Sequence, residues 1–92
     1  MIAIRAGQIL TPLAAIEPGL LFMESGLIKD IVLDRKQDLS GMEVIDVSDQ
    51  IVAPGLIDLH THGINGMQGI DGNPDDYARM SEHYARHGVT SI

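Results

Sequence analysis

Two histidines one residue apart, His60 and His62, are the side chains here best suited to chemistry. On an extended segment, residues i and i+2 point to the same side. Two neutral imidazoles placed that way can reach one metal ion, and zinc and related divalent ions take such ligands. The pair follows a compact apolar run, Leu56, Ile57 and Leu59, and precedes Gly63. A short, nearly continuous apolar run predicts a strand buried on both faces, as in a parallel sheet. The carboxyl end of such a strand is where α/β folds build their sites. The plainer reading is two ordinary polar residues at a strand end. Pro54-Gly55 before the run and Gly63 after it favour the metal.

Asp58 precedes the histidines by two and four residues, so it shares their side of the strand. It serves either as an acceptor that orients an imidazole or as a satisfied buried acid that supports the loop, and the second reading is preferred. Gly63 and Gly66 open a loop with glycines at triplet spacing, continued by Gly69 and Gly72. Such glycines let backbone amides approach a substrate; a tight connection explains them equally well. His83 and His87 stand at i,i+4 spacing, which can bind metal, but no H-E-x-x-H pattern surrounds them. A solvated helix face is the better reading. Asp71, Asp75 and Asp76 fit the start of a helix. No catalytic base can be assigned within the chain.

The elements that position these residues fall into two parts. Residues 1–53 read as short strands joined by turns, a small sandwich or partial barrel. Ile2, Ile4 and Ala6 alternate with Ala3 and Arg5 until Gly7 breaks the run, and residues 8–10 read as a second short strand. Residues 11–19, with Pro12 and Pro18, read as a loop. Residues 20–24 and 27–33 are β-rich runs around Ser25-Gly26, a hairpin signal. Residues 34–41 form a polar loop, and residues 44–47 and 51–53 two more strands around a polar turn. From residue 54 the pattern becomes strand, loop, helix, strand: one βαβ unit. The helix covers residues 74–87. Asn73 is its N-cap, Pro74 its first position, and Gly88 its C′ residue. Tyr77, Met80 and Tyr84 form its apolar face. Asp75 with Arg79 and Glu82 with Arg86 form i,i+4 pairs.

Composition narrows the function classes. A net charge of −7 argues against nucleic acid, whose binders need a basic face. The absence of cysteine excludes disulfides and thiolate metal sites. No apolar run approaches the roughly 20 residues that span a bilayer, and the first ten residues carry no signal-peptide pattern. The expectation is a cytoplasmic protein, without nucleic acid or membrane as partner, and compatible with a homo-oligomer. Aromatics are only 3%, so Ile, Leu, Val, Met and Ala must build the core.

Val52-Ala53-Pro54-Gly55-Leu56-Ile57-Asp58-Leu59-His60-Thr61-His62-Gly63 resembles the first barrel strand of the amidohydrolase superfamily. The continuation, with Gly66, Asp71-Gly72, the helix and His87-Gly88-Val89-Thr90-Ser91, looks like the N-acetylglucosamine-6-phosphate deacetylase family. The resemblance is specific over residues 52–92 and weaker before them. It implies an α/β fold, with a small β-sandwich portion at residues 1–53 and the first βαβ unit of a (β/α)8 barrel, truncated, at residues 54–92. It implies that His60 and His62 match the first pair of metal ligands, most simply for zinc. Some deacetylases replace these histidines, so their presence suggests a variant that uses this metal position. It further implies hydrolysis of the acetamide of N-acetylglucosamine 6-phosphate, an amino-sugar phosphate. The family's other metal ligands and its catalytic Asp lie on later strands, so the 92-residue chain is expected to be inactive alone. Another amidohydrolase, dihydroorotase-like or isoaspartyl-dipeptidase-like, is the first alternative, and the glycine-spaced loop counts against it. A non-catalytic truncated remnant is the second.

Overall fold

A computed structural model describes residues 1–64, 66–68 and 73–92, with the backbone alone at 67 and 68. Gly69, Asp71 and Gly72, used above, lie outside the described residues. The chain is α/β and strand-rich, and it divides into two compact units, Met1–Pro54 and Gly55–Ile92.

The first unit is one five-stranded mixed sheet. Strands β1 (Ile2–Leu10), β3 (Gly19–Glu24) and β4 (Leu27–Leu33) pair antiparallel in that order. β2 (Ala15–Ile16) pairs with the end of β1, and β5 (Glu43–Val52) runs parallel to β1 along its other edge. The hairpin expected at Ser25-Gly26 is present, with φ of 54° and 76° at the two turn residues. Positive φ at both central positions matches the right-handed twist of the flanking strands.

The sheet departs from the sequence expectations in three places. Gly7 does not break β1; Ala6 pairs with Val47 and Gln8 with Ile51, so Gly7 faces three residues of β5. A Cβ on Gly7 would come within 2.5 Å of the Ser48 carbonyl oxygen, so the bulge needs a glycine there. For the same reason residues 44–47 and 51–53 are not two strands: β5 runs through the polar Ser48-Asp49-Gln50 stretch, which the bulge absorbs. The proline-flanked loop at residues 11–19 contains the two-residue strand β2, held by backbone pairing to Ile9 and Leu10.

Alternation along these strands sorts the side chains onto two faces. Ala6, Ile9 and Leu21 form a buried cluster, with Ile4, Ile16, Met23, Ile31, Val47 and Val52 packed against it. Ala3 and Leu20, both fully buried, lie on the opposite face with Arg5. Arg5 Nε donates to Asp34 Oδ2 at 2.8 Å, and Asp34 N donates to the Pro18 carbonyl at 2.8 Å. These bonds pin the chain where it leaves β4 to cross toward β5.

The second unit holds β6 (Leu56–Ile57), β7 (Gly63–Ile64), β8 (Met67–Gln68), α1 (Pro74–Arg86) and β9 (Val89–Ser91). β6 and β9 pair in parallel, with α1 between them in sequence, which makes a βαβ unit. The stretch expected as loop also contains the β7–β8 hairpin, whose turn includes Gly66 at φ +80°. The helix ends where its local signals place them. Asn73 Oδ1 accepts from Asp76 N, Asp76 returns a bond to the Asn73 N–H, and Gly88 follows the C-cap with φ +83°. Met80 and Tyr84 are buried, while Tyr77 is exposed, so the apolar face is narrower than its spacing predicts. Arg79 pairs with Asp76 at 2.8 Å and not with Asp75, because the capping bond already holds the Asp76 carboxylate beside it. Glu82 and Arg86 pair as expected, at 2.5 Å.

Candidate metal centre

The site begins at the end of β6. Leu56 N donates to the Gly88 carbonyl at 2.8 Å and Asp58 N to that of Ser91 at 2.9 Å, so both ends of the β6–β9 pairing are closed. Gly55 allows this approach: a Cβ there would stand 2.0 Å from Thr90 Oγ1. Regular strand stops at Ile57, so His60 and His62 lie on the segment beyond the strand and not on it. The turn that follows is shaped by Asp58, which is half-buried and whose Oδ1 accepts from His60 N at 3.1 Å. A side-chain acceptor reaching two residues ahead is an Asx turn.

Alternation nevertheless persists beyond the strand. His60 and His62 converge, with Nε2 atoms 3.2 Å apart, ring centroids 5.0 Å apart and ring planes at 74°. Thr61, between them, turns the other way, and its Oγ1 is hydrogen-bonded to the Tyr84 hydroxyl. Gly63 N also donates to Thr61 Oγ1, at 3.3 Å. Gly63 then opens β7.

The imidazole geometry can be compared with what a metal requires. Two zinc–nitrogen bonds of about 2.05 Å at a tetrahedral angle separate the nitrogens by about 3.3 Å. The observed separation of 3.2 Å fits one shared ion. An N–H···N bond between neutral rings fits the same distance. Both histidines are exposed, so an ion can reach them from solvent. Two imidazoles supply half of a tetrahedral shell. Among the described residues, no group of three or more His, Asp or Glu side chains is placed to hold a metal.

The expectation of a strand buried on both faces is not met. Leu56, Ile57 and Leu59 are 61%, 67% and 93% exposed. The reason is that β9 is the sole strand beside β6 among the described residues. His87 caps α1 with its backbone N–H and is exposed. Sequence reasoning missed the Thr61–Tyr84 bond. The available signal was that a buried tyrosine hydroxyl ordinarily needs a partner.

No family model matches the chain. It is similar to the dihydroorotase of Lactobacillus johnsonii, 34% identical over 84% of this chain and 19% of that enzyme. It is also similar to the N-acetylglucosamine-6-phosphate deacetylase of Bacillus subtilis, 28% identical over 91% of this chain and 21% of that enzyme. These relatives are hydrolases of the amidohydrolase superfamily. The chain spans about a fifth of the length of the curated relatives it matches. Among solved structures it resembles a Xaa-Pro dipeptidase with bound methionine in the active site. The TM-score is 0.66 at 20% identity, over 99% of this chain and 26% of that one. That likeness is one of fold.

Proposed function

We propose that this chain carries the first metal-ligand pair of an amidohydrolase-type enzyme, with His60 and His62 holding one divalent ion, zinc in the simplest case. The observation that carries the reading is the 3.2 Å separation of the two Nε2 atoms at the carboxyl end of a parallel strand. When bound, a divalent ion there supplies Lewis acidity toward an amide carbonyl and toward water. The chain's own residues hold and orient. Asp58 fixes the turn through the His60 N–H, and β9 anchors the strand end through Asp58 N. In this reading residues 1–53 are part of a small β-domain and residues 54–92 the start of a (β/α)8 barrel. The remaining ligands and the proton-transfer group belong to later strands, as the resemblance implies. The setting is cytoplasmic and the substrate a small molecule.

The test of the ligand pair is metal content in the full chain. A His60→Ala, His62→Ala double variant should lose well over the roughly tenfold in zinc affinity that removing an orienting outer-shell group costs. Equal zinc in both proteins would end the proposal.

For the substrate, we take the acetamide of N-acetylglucosamine 6-phosphate, supported by Gly63, Gly66 and His87-Gly88-Val89-Thr90-Ser91. The higher identity to a dihydroorotase supports a second reading, opening of the dihydroorotate ring. The full-length enzyme should release acetate from the sugar phosphate and leave dihydroorotate intact. Turnover of dihydroorotate alone would reverse the choice between the two.

A further inference from the structure

Tyr84 is 6% exposed, and its hydroxyl bonds to the one side chain that sits between the two imidazoles. We propose that Tyr84 is a positioning residue for the metal pair: by holding Thr61 on the α1 side, it makes His60 and His62 converge on the other. The inference rests on the proposed function, because it assigns a role toward the ion those histidines would share.

His60 and His62 converge on one side and Thr61 bonds to Tyr84 on the other, so along this segment the direction of the middle residue bears on that of both neighbours. Thr61 is fixed at its side chain by Tyr84 and by the Gly63 N–H at 3.3 Å. Asp58 fixes the backbone one residue earlier, through His60 N at 3.1 Å. The segment is therefore tied on both sides of His60 and on the near side of His62. The anchor is capped and packed: α1 has a complete capping box, and Tyr84 and Met80 form its buried side. The exposed imidazoles touch each other at 3.2 Å, and the residue between them is the one tied to α1.

A tyrosine that merely fills space behaves differently. Its ring would matter and its hydroxyl would not. Tyr84→Phe keeps the ring, Thr61→Val keeps the shape, and Thr61→Ser keeps the hydroxyl. Cobalt or zinc affinity of the full chain should fall about tenfold in Tyr84→Phe and in Thr61→Val, the scale expected for groups that orient ligands. The double variant should lose no more than Thr61→Val alone, since that change already removes the bond to Tyr84. Thr61→Ser should stay near wild type. Without metal, exchange of the Gly63 amide should quicken about tenfold in Tyr84→Phe, because its acceptor is no longer held. Should Tyr84→Phe unfold, Thr61→Val on the exposed side carries the comparison.

Affinities within twofold of wild type in both single variants would overturn the proposal, as would unchanged Gly63 exchange. If the wild-type chain binds no metal, the proposed function fails separately. The exchange rate then still decides whether Tyr84 orders the segment: a faster rate supports the positioning role, and an unchanged one removes it.

Discussion

Arg5 and Asp34 show how a single pair can hold a crossover in place. The Asp34 side chain is 1% exposed, its Oδ2 accepting from Arg5 Nε and its Oδ1 from Lys36 N at 2.9 Å. The Lys36 amide, then the Arg5 guanidinium, hold the Asp34 carboxyl below the usual carboxylate range, against a smaller opposing effect of burial. A carboxylate with a depressed folded pKa contributes stability above its unfolded pKa of about 3.9. That contribution is lost as pH falls through the folded pKa. Asp38 and Asp46 are lowered in the same sense by hydrogen bonds from Ser40 and Ser48, but both are exposed. Asp34→Asn should therefore destabilise the first unit by about 1–3 kcal/mol at neutral pH, the cost of leaving Arg5 without its buried partner. Urea unfolding should show the gap between variant and wild type narrowing between pH 5 and pH 3. A gap that stays constant over that interval would assign the acid sensitivity to other groups.

At the scale of elements, α1 was legible because its signals are local. Asn73, Pro74 and Gly88 each act within one turn of where they stand, and the helix runs from Pro74 to Arg86 between them. Two changes test this. Asn73→Ala should cost about 1 kcal/mol through loss of the cap. Gly88→Ala should cost about 1–2 kcal/mol, because φ is +83° there. Circular dichroism melts of both variants would show it, and no change in Gly88→Ala would mean the C-terminal turn relaxes freely. The hairpin at Ser25-Gly26 was legible for the same reason. What was not legible is non-local. The parallel pairing of β5 with β1 joins residues about forty apart, and only that pairing explains why Gly7 and the Ser48-Asp49-Gln50 stretch continue as strand. The histidine pair was legible as a spacing, and its convergence follows from alternation. The means of holding it was not, since Tyr84 lies 23 residues from Thr61 and reads by periodicity as core.

At the scale of the whole molecule, the two units differ in how much holds each together. The first unit buries Ala3, Ala6, Ile9, Leu20 and Leu21, while the second buries Met80 and Tyr84 among its described residues. Gly55–Ile92 has no cysteine, so no disulfide adds to that packing. Binding to the folded state alone stabilises by mass action, about 2.7 kcal/mol at a hundredfold excess over Kd. Zinc should therefore protect the amides of α1 about a hundredfold in hydrogen exchange, and leave those of β1 and β3 unchanged. The protection should vanish in the His60→Ala, His62→Ala variant. Stabilising the unit does not complete a catalyst. Among the described residues of 1–92, no group of three or more His, Asp or Glu side chains is placed to hold a metal, so this polypeptide should release no acetate above the rate with zinc alone. Equal protection of β1 and α1 by zinc would mean that the ion binds elsewhere or acts on both units. Protection of α1 alone, in a chain that stays silent toward the sugar phosphate, is the combination that a half-built metal shell requires.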